Sequence, residues 1–473
     1  MWMTFLIVLV LYFALMLAVN VWGFRRTHTE ADFLVAGRTI GPLVGGAVLA
    51  ATQMSAGTYV GTMGRHYLTG ASWYLIWLGM WLGWLVSAFF IAPKLRQFGA
   101  LTVPDYIAAR FNSDMLRVLT GGLIVVVYVI YLVAQFQASG EIAQGAFGLH
   151  PLIGMIVIIA ATCILSLLGG VLGSSYMQFI QALIMVGGLV VGIPLLVSMV
   201  GGFPAAWRFL SDLDPRLTGM YYSWQQLLGF SLAFCFSIAS APYEMTRFYS
   251  MRDVRTVKQA IAVCIFFQFL IGGAVLICGM LMRVVFPNLT SADQASTILA
   301  FQVLPPLAGS LLLLAMISAI LSTCNSILLV AGAGFAHDIY ARVIRPNSSD
   351  SHLILVNRAT LVVLSVIPAF FALQKYGDVQ GTVIVKAKLV GSFFFIPILL
   401  GLNWRGGTAA GAMAAMLGGF FSCLFWELKY QQYSATWGID SVEVGVLTSL
   451  ILFVAVSKFT KPVPEENLKV FFK

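Results

Sequence analysis

The sequence has little charge. Only 10% of its 473 residues are charged, whereas 60% are hydrophobic. A soluble globule of this length needs far more polar surface than these residues supply. The composition therefore predicts a protein that is dissolved in lipid, and no stretch between its apolar runs is long enough to hold a separate soluble domain.

Paired cysteines and catalytic histidines are missing as well. All six cysteines lie inside apolar runs, without the spacing that is typical of disulfides or zinc sites. The five histidines lie in loops or at the ends of runs, and none has a partner at a spacing useful for catalysis or metal binding. These patterns argue against an enzyme, and the cysteines are interpreted as small packing residues.

Long apolar runs recur along the whole chain. About 20 residues are needed to cross a hydrocarbon core of about 30 Å as helix. Hydropathy predicts an all-α polytopic membrane protein with about thirteen transmembrane helices, called spans 1 to 13 below. In chain order, the spans cover approximately residues 3–22, 41–63, 71–92, 116–140, 152–169, 174–200, 224–243, 257–284, 303–336, 361–373, 381–402, 408–428 and 444–456.

Basic residues cluster at one end of the spans. If the N-terminus lies outside, the clusters around Arg25, Arg96, Arg252, Arg342 and the C-terminal lysines all fall in the cytoplasm, as the positive-inside rule expects. The net charge of +9 is then a result of topology and does not indicate a nucleic-acid partner. The sequence predicts a multi-pass protein of the cell (inner) membrane with a cytoplasmic C-terminus, and no obligate protein partner is evident.

Two spans carry polar and helix-breaking residues at mid-membrane depth, 52–58 in span 2 and 237–242 in span 7. Unwound backbone is tolerated there only where it is buried in protein or faces a cavity or ligand. The clusters are five spans apart, which predicts a five-plus-five inverted repeat with its central site at the two breaks. The predicted units are an extra helix (1–24), a first repeat (41–200), an inverted second repeat (224–402), two extra helices (408–457) and a tail (458–473).

Span 9 places three oxygen-bearing groups on one helix face. Ala319, Ser322 and Thr323 stand at positions i, i+3 and i+4. A carbonyl and two hydroxyls are ligands that a hard monovalent cation accepts if an unwound helix supplies further carbonyls. Serine and threonine in membrane helices also commonly bond their own helix, so this pattern alone leaves both interpretations open.

The same span carries a family resemblance. Residues 319–340 resemble, without a gap, the ninth helix of the sodium:solute symporter family, including the closing Asp-Ile-Tyr. Segments 32–38, 51–55 and 168–170, with Gly61, Gln178 and Gln181, are similar to that family too. Segments 214–217, 303–306 and 397–404 look most like its sodium/pantothenate branch. The resemblance spans nearly the whole chain and implies the LeuT-like, five-plus-five fold.

The resemblance implies a site for one sodium ion. Its ligands would be the backbone carbonyls of Ala51, Met54 and Ala319 with the hydroxyls of Ser322 and Thr323. Many relatives place carboxylates in spans 2 and 6 where this chain has Gln53 and Gln178. The loss of those carboxylates argues against a second sodium ion.

The resemblance also implies a substrate site between spans 2, 4, 7 and 11. The matching positions are Ser55 and Thr58 beside the break, Tyr131 on span 4, and Phe234 and Ile238 on span 7. Backbone N–H groups near Ser55 and Thr58 favour an anion. The predicted function is a sodium-coupled secondary active symporter that imports a small organic solute, a monocarboxylate such as pantothenate. A proline-like amino-acid symporter and a proton-coupled carrier on the same fold remain alternatives.

Four more charges lie at membrane depth, where each needs a partner or water. Lys386 and Lys388 are about 200° apart around span 11, so only one is expected to face the site. We take Lys388, Gln53 and Glu141 as further substrate-binding candidates. Glu141 and Glu244 could bind an amine, accept a coupling proton or reach an interface, and for Glu244, beside Arg247 at the cytoplasmic end, the interface is preferred. A membrane sensor is disfavoured because no soluble domain follows the last span.

Overall fold

The computed structural model describes residues 2–374 and 377–472. Within these ranges the regular structure is helical, and the one β contact is an isolated parallel bridge between Ile40 and Met251. Eleven described helices are long and apolar enough to cross a membrane, and two shorter apolar helices cover Pro42–Gln53 and Pro151–Ser166. The predicted all-α membrane architecture is confirmed, whereas the count of about thirteen spans stays a prediction.

The helices follow the predicted spans closely. The first half of the chain forms Trp2–Phe24, Glu30–Val35, Pro42–Gln53, Met63–Thr69, Ile76–Val86, Ala92–Phe98, Val103–Phe111, Asp114–Phe147, Pro151–Val190, Gly192–Met199 and Phe203–Leu213. The second half forms Pro215–Thr218, Trp224–Ser240, Pro242–Ser250, Val254–Val285, Ala295–Ile298, Pro306–Ala333, Asp350–Ala372, Val379–Asn403, Ala409–Tyr430, Ser434–Trp437, Ser441–Phe459 and Glu465–Lys469. Wider π-helical turns cover Gly57–Thr62, Ser87–Ile91, Leu299–Val303 and Gly334–Ile344.

Both predicted helix breaks are present. Span 2 ends its first helix at Gln53, Met54 has an extended backbone with ψ of 94°, and the helix resumes at Gly57. Span 7 is interrupted at Ala241, where ψ is 123°. Proline at position 242 explains this second break, because the ring of a proline pushes the preceding residue out of the helical region.

Spans 3 and 7 pack with their backbones almost in contact. A methyl group on Gly79 or Gly83 would lie 2.2 Å or 2.5 Å from the carbonyl oxygen of Ser231 or Cys235. Only glycine fits at such a crossing, as in other helix pairs of membrane proteins. This contact holds the first helix of span 7, Trp224–Ser240, in place, and with it the position of the break.

Two basic residues at the predicted cytoplasmic end are held in place by hydrogen bonds to backbone carbonyls. Arg96 donates to the carbonyls of Met251 and Arg252 at 2.6 and 2.5 Å. Arg110 is fully buried and donates to the carbonyls of Gly401 and Trp404 at 2.6 and 2.8 Å. Helix ends leave carbonyl groups without partners, and these guanidinium groups satisfy them. Arg96 and Arg110 therefore connect neighbouring helices at one end of the bundle.

Candidate functional site

The broken end of span 2 lies against the hydroxyl face of span 9. The Ser322 hydroxyl lies 2.7 Å from the Ala51 carbonyl oxygen and 3.1 Å from that of Ala319. The Thr323 hydroxyl donates to the carbonyl of Thr52 at 3.0 Å. Ala51 and Thr52 are among the last residues of their helix, so their carbonyls lack the usual helical partner. The two hydroxyls of span 9 take that role.

Three of the five predicted sodium ligands are therefore in direct contact: Ala51, Ala319 and Ser322. Thr323 contacts the neighbouring carbonyl of Thr52, which the sequence analysis had not selected. Met54 lies in the extended turn directly after the helix, and its own N–H still donates to Ala50 at 2.8 Å. All five residues are buried. The cluster is rich in neutral oxygens and contains no carboxylate of its own, which suits a monovalent cation better than a divalent one.

A second layer of polar groups surrounds this cluster. Gln178 on span 6 donates to the Ser322 carbonyl at 2.9 Å and to the Ser326 hydroxyl at 2.8 Å. Ser326 also lies 3.0 Å from the Thr52 hydroxyl and accepts from the Arg247 guanidinium at 2.8 Å. Amide donors and a fixed positive charge occupy this neighbourhood. Such groups repel a cation, so this neighbourhood does not favour a second ion.

A lysine and two tyrosines gather beside the break, next to Gln53. Tyr243 donates to the Gln53 side-chain oxygen at 3.1 Å, and the Lys386 ammonium lies 3.3 Å from the same tyrosine hydroxyl. Lys386 also sits 4.0 Å from the ring centre of Tyr131. All four residues are buried. The structure thus joins predicted residues of spans 2 and 4 to a tyrosine and a lysine that the prediction left out.

The polar residues of the break itself are already hydrogen-bonded. The Gly57 N–H donates to the Ser55 hydroxyl at 3.1 Å, and the Ala56 N–H donates to the side-chain oxygen of Gln135 at 3.1 Å. The Thr58 hydroxyl lies 3.6 Å from the sulfur of Met54. The N–H groups that the sequence analysis expected to receive an anion therefore have internal partners.

Phe234 and Ile238 are buried on the first helix of span 7, two turns and one turn before the break, respectively. Their apolar side chains provide walls rather than polar contacts. Tyr131 and Tyr128 on span 4 pack against Tyr243, with ring centres 6.0 and 5.5 Å apart. The surroundings of Lys386 are therefore largely aromatic and apolar.

Two predicted substrate-binding residues lie elsewhere. Lys388 forms ion pairs of 3.0 Å with both Glu427 and Asp440, on spans 12 and 13. Lys388 therefore stays a prediction as a substrate-binding residue, while the rotation of span 11 turns Lys386 toward Tyr131 and Tyr243. Glu141 is ten residues beyond Tyr131 on the same helix, about 15 Å along its axis. It interacts electrostatically with Asp293 near the predicted outer end and does not join the Lys386 group.

The interpretation that Glu244 reaches the cytoplasmic interface is wrong. This residue does not reach an interface: it is fully buried in the first turn of Pro242–Ser250, and neither carboxylate oxygen has a hydrogen-bond partner in the described chain. Lys386 and Arg247 are close enough to interact with it electrostatically. The sequence signal was present, since a glutamate two residues after the proline of a broken helix lies deep in the bundle.

A small void lies between this centre and the predicted cytoplasmic end. Thr246, Arg247, Ser326 and Asp338 help to enclose a void of only about 20 Å³. A much larger cavity of about 790 Å³ lies on the other side of span 11, between spans 4, 7, 11 and 12. It is lined by Lys388 and Glu427 and is separate from the Lys386 group.

A charged cluster stands below the small void. Asp105, in Val103–Phe111, pairs with Arg117 on span 4 and lies 3.1 Å from His337 on span 9. Thr102 donates to Asp338 at 2.9 Å. Burial alone raises the pKa of Asp105, but the hydrogen bond and charge of His337, together with Arg117, lower it to about 2. The cluster joins spans 4 and 9 to the short helix that precedes span 4.

A helical bundle with two broken helices that meet at a buried polar centre defines a secondary transporter of the inverted-repeat kind. The model of the sodium:solute symporter family matches residues 33–419, and the chain belongs to that family. It is a sodium-coupled solute symporter and not an enzyme.

Curated relatives match almost end to end. The chain is 26% identical to the osmoregulated proline transporter OpuE of Bacillus subtilis (strain 168), over 98% of this chain and 96% of the relative. It is 25% identical to sodium/proline symporter 2 of Staphylococcus saprophyticus, over 97% of this chain and 93% of the relative. These relatives carry proline in their names, so the predicted pantothenate branch finds no support.

Solved structures show the fold. A sodium-coupled sialic acid symporter, solved in a substrate-bound outward-open state, aligns with a TM-score of 0.81 at 17% identity, over 98% of this chain and 99% of that one. A nucleobase-cation-symport-1 family transporter in a closed conformation aligns with a TM-score of 0.57 at 12% identity, over 94% and 99%. The predicted LeuT-like fold is therefore confirmed.

Proposed function

We propose that this symporter imports a small amino acid, proline or a close analogue, together with one sodium ion. It would do so across the cell (inner) membrane, with its N-terminus outside and its C-terminus in the cytoplasm. The named proline transporters among its relatives favour this substrate over the monocarboxylate expected first. The narrow aromatic surroundings of Lys386 suit a small solute with an apolar body.

The observation that carries sodium coupling is the contact between the broken end of span 2 and the hydroxyls of span 9. An ion at this place would be held by Ala51, Ala319, Ser322 and the neighbouring oxygens of Thr323 and Met54. The two hydroxyls would then turn their lone pairs to the ion instead of donating to the carbonyls. Ion binding would draw span 2 against span 9 and set the adjacent break for substrate.

A single ion per cycle is supported by the second layer. Gln178 directs its N–H donors at Ser322 and Ser326, and Arg247 places a positive charge on Ser326. With a zwitterionic substrate of no net charge, one sodium ion moves one charge inward. A membrane potential contributes about 2.3 kcal/mol per charge for each 100 mV, which is sufficient for accumulation.

The test is uptake of labelled L-proline into proteoliposomes under an inward sodium gradient, a proton gradient or neither. Sodium-driven uptake is expected. The double variant Ser322→Ala with Thr323→Ala should raise the sodium concentration for half-maximal uptake by about tenfold or more, because each lost oxygen contact to a charge is worth about 1.5–3 kcal/mol.

Ser310→Ala is the matched control, because Ser310 lies on the same helix and bonds only the Pro306 carbonyl of its own helix at 2.6 Å. An unchanged sodium dependence in the double variant would contradict the assigned ion site. A second candidate is a proton-coupled carrier, which the buried carboxylate of Glu244 favours. That candidate predicts uptake with the proton gradient alone.

A further inference from the structure

Lys386 is a buried cation that forms no ion pair with a carboxylate among the described residues. Its ammonium has three donors, but it makes one hydrogen bond, to the Tyr243 hydroxyl at 3.3 Å, and otherwise faces the ring of Tyr131. In the described chain no carboxylate oxygen lies within 4.0 Å of it. A charge in this position is costly unless something binds it at least part of the time.

Glu244 presents the complementary situation. Its two carboxylate oxygens are buried and have no hydrogen-bond partner among the described residues. Arg247, three residues away, is directed to the hydroxyls of Ser326 and Ser174 at 2.8 and 3.5 Å and forms no ion pair with Glu244. An unpartnered buried carboxylate is rare, because the ionised form loses its water without gaining donors.

Glu244 and Lys386 lie beside the same group of tyrosine rings. Lys386 interacts electrostatically with Glu244, and so do the hydroxyls of Tyr128, Tyr131 and Tyr243. Opposite charges thus lie close enough to interact beside one aromatic cluster, without a direct bond between them in the described chain. The arrangement matches a ligand that carries an acceptor and a donor on one small apolar frame.

We infer that Lys386 and Glu244 select a zwitterion: Lys386 binds the carboxylate of the substrate and Glu244 binds its ammonium or iminium group. The inference rests on the proposed function and specifies its substrate class. A simple monocarboxylate would satisfy Lys386 but leave Glu244 without a donor, and a simple amine would leave Lys386 without an acceptor. The pair therefore explains why a carrier would reject ligands that have only one of the two charges.

The experiment measures binding to the purified full-length protein in saturating sodium, by displacement of labelled L-proline. The competitors are cyclopentanecarboxylate, which lacks the amine, and pyrrolidine, which lacks the carboxylate. In the unaltered protein each should bind at least about a hundredfold more weakly than proline, since a charged hydrogen bond left unmade costs that much.

Two isosteric or near-isosteric variants separate the two ends. Glu244→Gln should weaken the binding of proline at least tenfold. The binding of cyclopentanecarboxylate should be unchanged or tighter. Lys386→Met should weaken the binding of proline and of cyclopentanecarboxylate and leave the binding of pyrrolidine unchanged. Lys386→Gln replaces this variant if the methionine variant does not fold. Glu443→Gln is the control, because this residue caps span 13 and its replacement keeps the acceptor for the Asp440 N–H.

Equal losses for all three compounds in both variants, or no loss, would overturn the inference. So would a Glu244→Gln variant that binds proline normally but loses a dependence of binding on pH, since Glu244 would then hold a proton. Failure of the proposed function gives a different result, which is the absence of sodium-dependent proline binding in the unaltered protein.

Discussion

Lys386 and Lys388 stand two residues apart on one helix, and both are buried, yet they occupy opposite electrostatic surroundings. Lys388 lies 3.0 Å from each of two carboxylates, Glu427 and Asp440, which are themselves largely buried. Lys386 has a tyrosine hydroxyl and an aromatic ring. The paired lysine ties span 11 to spans 12 and 13. The N–H donors of Lys386 remain available for a substrate that binds and is released.

The largest difference between the two lysines should appear in stability. Lys388→Met strands two buried carboxylates and should lower the free energy of unfolding by about 3–5 kcal/mol. Lys386→Met removes only the longer-range interaction with Glu244 and no ion pair within 4.0 Å, so it should change this free energy by about 1 kcal/mol or less. Tryptophan fluorescence during chemical unfolding in detergent measures both values.

A triple variant tests the reason for the Lys388 effect. Adding Glu427→Gln and Asp440→Asn to Lys388→Met removes the stranded charges and should restore most of the lost stability. If Lys386→Met is as destabilising as Lys388→Met, the two environments do not differ as described and Lys386 serves the fold.

The next effect in order of size is expected for Asp293. It is buried in the loop before span 9 and accepts one hydrogen bond, from the Val379 N–H at 3.3 Å. Burial, assisted by Asp378 and Glu141 and opposed by Arg65, raises the pKa of Asp293 to about 6. The folded chain thus keeps a proton that the unfolded chain has lost, so stability falls as the pH rises from about 4 to about 6.

The expected size of this pH effect is on the order of 1–3 kcal/mol, at about 1.4 kcal/mol per pKa unit. It is measured as the difference between the unaltered protein and Asp293→Asn, which retains the acceptor for Val379 and should lack this part of the pH dependence. Parallel pH profiles for the two proteins would show that Asp293 titrates normally.

The smallest effect is expected for the exposed pair of Arg65 and Asp378, 2.5 Å apart at the predicted outer end. Their side chains are 25% and 40% exposed. Asp378→Asn keeps the hydrogen bond to the Gly381 N–H that begins span 11. The loss should be about 1 kcal/mol or less and should shrink in high salt. A large, salt-independent loss would place this pair with Lys388 instead.

The helix breaks and the hydroxyl face, which the structure shows where the sequence predicts them, depend on local chemistry. The breaks at Met54 and Ala241 follow from small, polar and proline residues within one turn. The face formed by Ser322 and Thr323 follows from helical spacing. Each needs only a few neighbouring residues to be recognised.

The parts that sequence missed depend on rotation and depth. Both faces of span 11 are apolar, so the pattern around Lys386 and Lys388 does not fix which one turns inward. The partners of Lys388 lie about 40 and 50 residues further along the chain, with no motif that links them. Glu244 looked interfacial because of Arg247, but the arginine is itself buried and bonded to Ser326.

A carrier that has delivered its load must make the return journey empty, and the hydroxyls of Ser322 and Thr323 bear on that half of the cycle. Each hydroxyl donates to a carbonyl at the end of span 2, Ala51 or Thr52, and its oxygen retains lone pairs that can face an ion. A rotation about one side-chain bond exchanges one partner for the other. The same two side chains can therefore hold the end of span 2 against span 9 with or without an ion, so this contact between the two helices need not be lost when the ion leaves.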